Sequence, residues 1–169
     1  MDIKPSYKTK LNDINTFIFD VDGVMTDGTV ILSSSGEMVR KMHTKDGLAI
    51  RKAVDAGFNV AIISGGNSEM VKNRMNYLGV KDVYLKVQDK IEVFENYLIM
   101  NQIEPKNVLY MGDDLPDYEV MTKVGLATCP QDACPEIKGI SEYISNKNGG
   151  EGCVRDVIEQ VLKLNDKWF

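Results

Sequence analysis

Two aspartates separated by one residue follow the first apolar run of the chain. The run, residues 16–19, leads directly into Asp20, and Asp22 comes two positions later. A carboxylate can attack phosphorus and form an acyl phosphate, which divides one slow hydrolysis into two faster steps. A second carboxyl group so close in sequence can protonate a leaving oxygen and later take a proton from water. We therefore interpret Asp20 as a nucleophile and Asp22 as its general acid and base.

A second acidic group follows a later apolar run. Residues 108–111 are apolar, and Asp113, Asp114 and Asp117 come soon after them. Magnesium prefers oxygen ligands and needs few carboxylates from the protein. We expect Asp113 to bind Mg²⁺ directly, and we expect Asp114 and Asp117 to orient the ligands through hydrogen bonds.

The first acidic pair completes this expected metal site. Asp20 would contribute its carboxylate and Asp22 its backbone carbonyl. Attack of an anionic carboxylate on an anionic phosphate needs a cation, because the two negative charges repel each other. Mg²⁺ is therefore the predicted cofactor.

Two further polar residues lie at the ends of predicted elements. Ser64 follows the apolar run 60–63, and Lys90 opens a helical pattern. A hydroxyl and an ammonium group both donate to phosphoryl oxygens, and the lysine also offsets the carboxylates. An Asp-x-Asp-Gly sequence alone is common in turns. The combination of acidic pair, serine, lysine and second acidic group, in that order, is what predicts phosphoryl transfer.

Short apolar runs predict the strands that position these residues. Short strands that are apolar throughout are typical of a parallel sheet covered on both faces. The expected strands are residues 16–19, 60–63, 108–111 and 125–128. Ligands bind beyond the carboxyl ends of such strands, which is where the candidate residues lie.

Helical patterns alternate with these runs. The predicted helices span residues 46–56, 68–78, 90–101, 115–123 and 153–164. Alternation of strands and helices predicts an α/β fold, a three-layer, doubly wound parallel sheet with right-handed crossovers. The whole chain, residues 1–169, is expected to form one domain.

One segment departs from this alternation. Residues 29–42 contain two apolar stretches on either side of a serine-rich turn, which predicts a projecting β-hairpin. The intervals between the motifs leave no room for a cap domain. Because phosphoryl transfer benefits from shielding from water, we expect a neighbouring subunit to cover the site. The apolar side chains of the hairpin suit such a contact.

Composition and charge exclude several kinds of partner. The 169 residues carry a net charge of −5, without the basic stripe typical of nucleic-acid-binding proteins. No apolar run approaches the roughly 20 residues that a membrane helix needs, and residues 1–10 do not resemble a signal peptide. We therefore predict a cytoplasmic protein that binds neither nucleic acid nor membrane.

Taken together, the motifs resemble those of the haloacid dehalogenase-like phosphatase superfamily. Its four signatures correspond here to residues 20–24, residues 64–65, Lys90 and residues 112–117. The resemblance covers nearly the whole chain and implies a Rossmann-like core, Mg²⁺ and an aspartyl-phosphate intermediate. The acid at Asp22 implies phosphatase chemistry, because the dehalogenase branch lacks it.

A narrower resemblance is to the 3-deoxy-D-manno-octulosonate 8-phosphate phosphatases, a family that makes the eight-carbon sugar acid of bacterial lipopolysaccharide. It is carried by residues 26–28, 36–37, 45–47, 50–51, 74, 149–152 and 154–155. It implies a homotetramer whose C-terminal segment reaches toward an adjacent site, and a small phosphorylated sugar acid as substrate. The substrate-binding residues it implies are Asp22, His43, Thr44, Lys45, Asp46, Gly47, Arg51, Gly65, Gly66, Arg74 and Lys90.

Two positions depart from the narrower pattern, and they leave a close alternative substrate open. Gly66 stands where that family usually has arginine, and residues 43–45 replace a common Asn-Val-Arg. Phosphatases of nine-carbon keto-sugar acid 9-phosphates share the same frame and are the close alternative. A phospho-accepting receiver domain also combines acidic residues, a hydroxyl group, a lysine and Mg²⁺. A catalytically inactive scaffold is the third alternative, and the complete acidic set argues against it.

Overall fold

A parallel sheet lies at the centre of the molecule, for which a computed structural model describes residues 6–169. The strands are β1 (Thr16–Phe19), β2 (Ile31–Leu32), β3 (Met38–Val39), β4 (Asn59–Ile63), β5 (Asp82–Tyr84), β6 (Val108–Met111), β7 (Leu126–Cys129) and β8 (Tyr143–Ile144). Within the described range, the central sheet has six parallel strands in the order β5-β4-β1-β6-β7-β8. The predicted α/β class with a parallel sheet is thereby confirmed.

The register of the three central strands aligns their carboxyl ends. Phe19, the last residue of β1, pairs with Ile62 of β4 and with Met111 of β6. The residues that follow these strands therefore meet at one edge of the sheet. Asp20 and Ser64 both lie at this edge.

Helices cover both faces of the sheet. They are α1 (Tyr7–Lys10), α2 (Thr44–Asp55), α3 (Glu69–Tyr77), α4 (Lys90–Asn101), α5 (Tyr118–Met121), α6 (Pro135–Ile140) and α7 (Cys153–Leu164). One face packs against α2, α3 and α7 in an apolar cluster that includes Phe17 and Ile50. The other packs against α4, α5 and α6 in a cluster that includes Phe94 and Tyr110. Burial on both sides explains the continuous apolar runs in the sequence.

The segment between β1 and α2 contains the predicted hairpin, with shorter strands than expected. Strands β2 and β3 pair antiparallel, Ile31 with Val39 and Leu32 with Met38. The side chains of Ile31 and Leu32 are 70% and 75% exposed. The hairpin therefore projects from the core and leaves apolar surface uncovered in this single chain.

Helix prediction was accurate where the apolar spacing is regular. The helices predicted at residues 90–101 and 153–164 have those bounds in the structure. The helix predicted at residues 115–123 was wrong, because a 3-10 turn, Leu115–Asp117, precedes the four-residue α5. Pro116 lies in that turn and has no N–H for a helical hydrogen bond.

Other predicted bounds were displaced by one or two residues. The helix predicted from residue 46 begins at Thr44, so Asp46 lies in its first turn and is not its cap. The strand predicted at residues 125–128 spans Leu126–Cys129. Strands β5 and β8 and helices α1 and α6 were not predicted.

Among residues 6–169, no helix combines the length and apolar character needed to cross a membrane. The cytoplasmic location and the assignment of residues 1–169 to one domain stay predictions.

Candidate active site

Asp20 lies at the carboxyl end of β1 and is buried, with 7% of its surface exposed. Its Oδ1 accepts a hydrogen bond from the Val21 backbone N–H at 2.7 Å and lies 3.1 Å from Lys90 Nζ. Both contacts engage the same oxygen. The other oxygen, Oδ2, is therefore the better candidate for attack on a substrate.

Lys90 is the first residue of α4 and connects Asp20 to a second buried carboxylate. Asp89 caps the helix by accepting hydrogen bonds from two N–H groups of the first turn, which fixes where α4 begins. The Lys90 ammonium group lies 2.7 Å from Asp117 Oδ1. Burial lowers the pKa of Lys90, but attraction to Asp20 and Asp117 outweighs burial and raises it. The lysine is therefore a fixed positive charge beside Asp20.

Asp117 is held by donors on both of its oxygens. The Tyr110 hydroxyl donates to Oδ1 at 2.6 Å, and the Asp113 backbone N–H donates to Oδ2 at 3.1 Å. These contacts give Asp117 the geometry of a residue that positions Lys90. Asp114 is exposed instead, and it accepts a hydrogen bond from the Leu115 N–H at 2.8 Å.

Three carboxylates converge where Mg²⁺ is predicted. Oxygens of Asp20, Asp113 and Asp117 lie within 4.8 Å of one another. Oδ1 of Asp113 is buried without a hydrogen-bond partner among the described residues, whereas Asp117 already uses both oxygens. A buried acceptor needs a partner, and a divalent cation would supply one. The residues present therefore fit Mg²⁺ held by Asp20 and Asp113.

Crowding of these carboxylates changes their titration. Burial, and then repulsion from Asp117, raises the pKa of Asp20 to about 7. Burial, and then repulsion from Asp20, raises the pKa of Asp113 to about 8. A nearby cation favours the ionised form of a carboxyl group and would reverse both shifts.

Gly23, directly after the first acidic pair, makes this approach of carboxylates possible. Its φ is +84°, and a Cβ at this position would overlap the Asp113 carboxylate. A side chain would be strained by the backbone and excluded by the neighbour. Gly23 belongs to the first predicted motif, but its role could not be predicted from the sequence, because both constraints arise only from the fold.

Asp20, Asp22 and Ser64 line one cavity of about 410 Å³. The Ser64 Oγ accepts a hydrogen bond from the Gly66 N–H at 3.1 Å, which leaves its own proton for donation to a phosphoryl oxygen. Other predicted site residues in the lining are Gly65, Gly66, Lys90, Asp113 and Asp114. The structure thus brings the four predicted motifs together.

Arg40 also belongs to this site, although the sequence analysis did not single it out. It follows β3, and its Nε and Nη2 donate to the two carboxylate oxygens of Asp22 at 2.6 Å and 3.1 Å. The sequence shows a cation near the end of the predicted hairpin. It does not show where the side chain points.

The other residues predicted to bind substrate lie outside the lining of this cavity. They are His43, Thr44, Lys45, Asp46, Gly47, Arg51 and Arg74. His43 and Lys45 line a separate cavity of about 530 Å³ beside α7. The exposed Arg51 donates to the Tyr77 carbonyl at 3.1 Å.

Asp46, Gly47 and Arg74 make contacts between helices. The buried Asp46 accepts a hydrogen bond from the Arg155 N–H, at the start of α7, at 2.8 Å. A Cβ on Gly47 would lie 2.7 Å from Arg74 Nη2, so the guanidinium packs directly over this glycine. Within one chain these residues are not brought to the phosphoryl site, and their role in substrate binding stays a prediction.

Comparison with known proteins connects this geometry to a family. Residues 81–158 match a family model described as haloacid dehalogenase-like hydrolase. The 3-deoxy-D-manno-octulosonate 8-phosphate phosphatase of Salmonella typhimurium is 36% identical, over 98% of this chain and 88% of its own length. That of Escherichia coli K12 is 37% identical, over 94% of this chain and 84% of its own length.

Solved structures agree with these sequence relatives. The crystal structure of the 3-deoxy-D-manno-octulosonate 8-phosphate phosphatase from Yersinia pestis has a TM-score of 0.92 at 35% identity, covering 95% of this chain and 86% of that one. The enzyme of that name from Moraxella catarrhalis, in complex with a magnesium ion, a phosphate ion and KDO, has a TM-score of 0.89 at 33% identity, covering 92% and 90%. With likeness of this extent and the motif residues converging on one cavity, the chain belongs to the 3-deoxy-D-manno-octulosonate 8-phosphate phosphatase family of haloacid dehalogenase-like hydrolases.

Proposed function

We propose that this protein hydrolyses 3-deoxy-D-manno-octulosonate 8-phosphate to the free sugar acid and inorganic phosphate, with Mg²⁺ as cofactor. The observation that carries the proposal is the match, over almost the entire chain, to phosphatases of that name. The convergence of Asp20, Asp22, Ser64 and Lys90 on one cavity supports it. The reaction supplies the sugar acid for lipopolysaccharide precursor synthesis.

In the first step the nucleophile replaces the sugar. Asp20 attacks phosphorus and forms an acyl phosphate, as the bond between phosphorus and the sugar oxygen breaks. Asp22 gives its proton to that oxygen, so the sugar acid leaves as an alcohol. Oδ1 of Asp20 is held by Val21 and Lys90, so attack falls to Oδ2.

In the second step water releases the phosphate. Asp22 takes a proton from the water that attacks the acyl phosphate, and this restores the carboxylate of Asp20 and the acid form of Asp22. Ser64 and Lys90 donate hydrogen bonds to the phosphoryl oxygens in both steps. When bound by Asp20, Asp113 and the Asp22 carbonyl, Mg²⁺ neutralises negative charge on the phosphoryl group and on the attacking carboxylate.

The test is a substrate panel with parent and Asp20→Asn proteins. We expect kcat/KM to be highest for 3-deoxy-D-manno-octulosonate 8-phosphate, ahead of nine-carbon keto-sugar acid 9-phosphates, hexose phosphates and p-nitrophenyl phosphate. Asp20→Asn should lower phosphate release by roughly 1000-fold or more, because the nucleophile is lost. Chelation of the metal should abolish turnover by the parent.

Each contrary outcome would support a different alternative function or contradict part of the proposal. Preference for a nine-carbon substrate would support the close alternative, and preference for hexose phosphates would contradict the sugar-acid assignment. A stable phosphoprotein without turnover would support a receiver-type domain. Glu95→Gln, at an exposed position on α4, serves as the control that should retain parent activity.

The assembly that completes the site is part of the proposal. Among residues 6–169, no separate cap segment covers the cavity at the sheet edge, while the hairpin exposes Ile31, Leu32 and Met38. Exposed apolar side chains on a projecting element are typical of a contact between proteins. The protein forms a homotetramer in which a neighbouring subunit covers the site and brings further substrate contacts to it.

A further inference from the structure

Arg40 is nearly buried although it belongs to an exposed segment. Its side chain is 6% exposed, and the guanidinium donates to both carboxylate oxygens of Asp22. Its remaining nitrogen, Nη1, donates to the Met38 carbonyl at 2.8 Å. Paired donation by a guanidinium to one carboxylate is a strong arrangement with a defined geometry. The free enzyme therefore holds Arg40 on the residue proposed as general acid.

The guanidinium occupies space that Gly66 leaves open. A Cβ at position 66 would lie 3.0 Å from Asp22 Oδ2 and 3.1 Å from Arg40 Nη2. Arg40 thus brings a positive charge from the hairpin to the same corner of the site.

A second cavity adjoins the phosphoryl site at this corner. Gly65 and Gly66 line both the cavity that contains Asp20 and a neighbouring one of about 700 Å³, which contains Arg40. A substrate whose phosphoryl group lies at Asp20 can extend across the two glycines into the neighbouring cavity. The organic part of the substrate then lies beside the guanidinium of Arg40.

Among the charged residues of the neighbouring cavity, Arg40 is the one best placed to distinguish substrates with an anionic group from substrates without one. Its other charged residues are Lys86, Glu37 and Glu69, all of them exposed. Water screens exposed charges strongly, whereas a nearly buried guanidinium acts through a lower dielectric. An anionic group on the substrate would therefore be attracted chiefly by Arg40.

We propose that Arg40 binds the carboxylate of the sugar acid and, by leaving Asp22 to do so, frees that side chain to take up from solvent the proton that it then gives to the leaving oxygen. The inference rests on the proposed function. The substrate carboxylate offers the guanidinium the same paired geometry as Asp22, so Arg40 exchanges two hydrogen bonds for two others, and the oxygens of Asp22 become free. A phosphate ester without a carboxylate leaves Arg40 on Asp22 and is turned over slowly, because binding energy is not used to free the acid.

The test measures kcat and KM for two substrates, 3-deoxy-D-manno-octulosonate 8-phosphate and p-nitrophenyl phosphate, on the full chain with Mg²⁺. The ratio of interest is kcat/KM for the octulosonate ester divided by kcat/KM for p-nitrophenyl phosphate. We expect Arg40→Ala to lower this ratio by roughly 10- to 100-fold, because a charged hydrogen-bonded pair is lost. Arg40→Lys should restore part of the ratio. Lys41→Ala is the matched control, because this neighbouring cation is 78% exposed and pairs with Asp27 at 3.1 Å.

Moving the guanidinium from position 40 to position 66 provides an independent test of the role of Arg40. The double variant Arg40→Ala/Gly66→Arg returns a guanidinium to the same corner from the other side, and we expect it to regain much of the ratio. An Arg40→Ala ratio equal to that of the parent would overturn the inference. An equal loss on both substrates, with an unchanged melting temperature, would also overturn it. If Arg40→Ala does not fold, Arg40→Lys and the double variant decide in its place.

Failure of the proposed function would be separately visible. A parent protein that does not hydrolyse the octulosonate ester would remove the substrate assignment. The ratio of kcat/KM for 6-phosphogluconate, which has a carboxylate, to kcat/KM for glucose 6-phosphate, which lacks one, would then decide the role of Arg40. A ratio that Arg40→Ala lowers would support carboxylate recognition, and an unchanged ratio would refute it.

Discussion

At the scale of single residues, the buried carboxyl groups of Asp20 and Asp113 have pKa values of about 7 and about 8, well above the usual 3.8. Between pH 3.8 and these raised pKa values, the metal-free folded protein retains protons that the unfolded chain has released. The contribution of these two groups to stability is therefore fully present below about pH 3.8 and is lost as pH rises through 7 and 8. Mg²⁺ binds the ionised groups and displaces the protons. We expect Mg²⁺ to raise the melting temperature, relative to EDTA, more at about pH 8.5 than at about pH 6.

A matched pair of variants isolates the carboxyl groups responsible. Asp113→Asn removes one of the two raised groups and should reduce both the Mg²⁺ effect and its dependence on pH. Glu95→Gln, at an exposed position on α4, should behave like the parent. A shift of equal size at both pH values in the parent would contradict the expectation.

Gly23 gives a second prediction at this scale. Gly23→Ala introduces strain at φ +84° and pushes the Asp113 carboxylate away. We expect kcat/KM to fall by roughly 100-fold, the cost of displacing a reactive group by about 1 Å. Gly57→Ala is the control, because its φ is +86° and no atom lies within 4 Å of the added Cβ. It should cost about 1 kcal/mol of unfolding free energy and leave kcat unchanged.

The residues at the strand ends could be predicted from sequence, whereas Arg40 could not. Asp20 and Ser64 follow apolar strands, and the parallel arrangement determines that they meet. Arg40 reaches Asp22 through the path of the hairpin, which no periodicity in the sequence specifies. The position of Arg51 outside the cavity could not be predicted from the sequence either. A helical pattern does not show which neighbour a side chain contacts, and Arg51 contacts the Tyr77 carbonyl.

At the scale of elements, predictability followed length and burial. The central strands β1 and β6 are apolar at nearly every position because both faces are covered, and their bounds were predicted correctly. The edge strands β5 and β8 are three and two residues long and only partly buried. A segment that short carries no period from which a strand could be inferred.

The contact between α2 and α7 leads to a prediction about an element. Gly152, the N-cap of α7, has no side chain to accept a hydrogen bond, and Asp46 of α2 accepts one from the Arg155 N–H. We expect Asp46→Ala to lower the unfolding free energy by about 1–2 kcal/mol in urea titration, as loss of a capping acceptor does. Asp46→Asn keeps an acceptor and should lose less. Asp55→Ala, on the exposed end of α2, should be nearly neutral.

At the scale of the whole molecule, the hairpin leads to a prediction about assembly. Leu32→Glu places a charge on a side chain that is 75% exposed in the single chain. We expect dissociation of the proposed tetramer, measured by size exclusion with light scattering, and a parallel loss of activity, because burying an unpaired charge at an interface is unfavourable. Ile99→Glu is the control, because Ile99 is equally exposed, at 76%, but lies on α4 and not on the hairpin. It should leave the assembly intact. Retention of the tetramer by Leu32→Glu would contradict a contact through the hairpin.

The hydrogen bond from the Tyr110 hydroxyl to Asp117 has a consequence for how this enzyme can diversify. Tyr110 belongs to β6 in the protein core, and through Asp117 it anchors Lys90 beside Asp20. The groups proposed to carry out hydrolysis are thus fixed from inside the sheet, while Arg40 reaches the site from a peripheral loop. With the role proposed for Arg40, selection acting on the loop changes which phosphorylated metabolite is accepted without rebuilding the reaction centre. Replacements inside the sheet, by contrast, are constrained by folding and chemistry together.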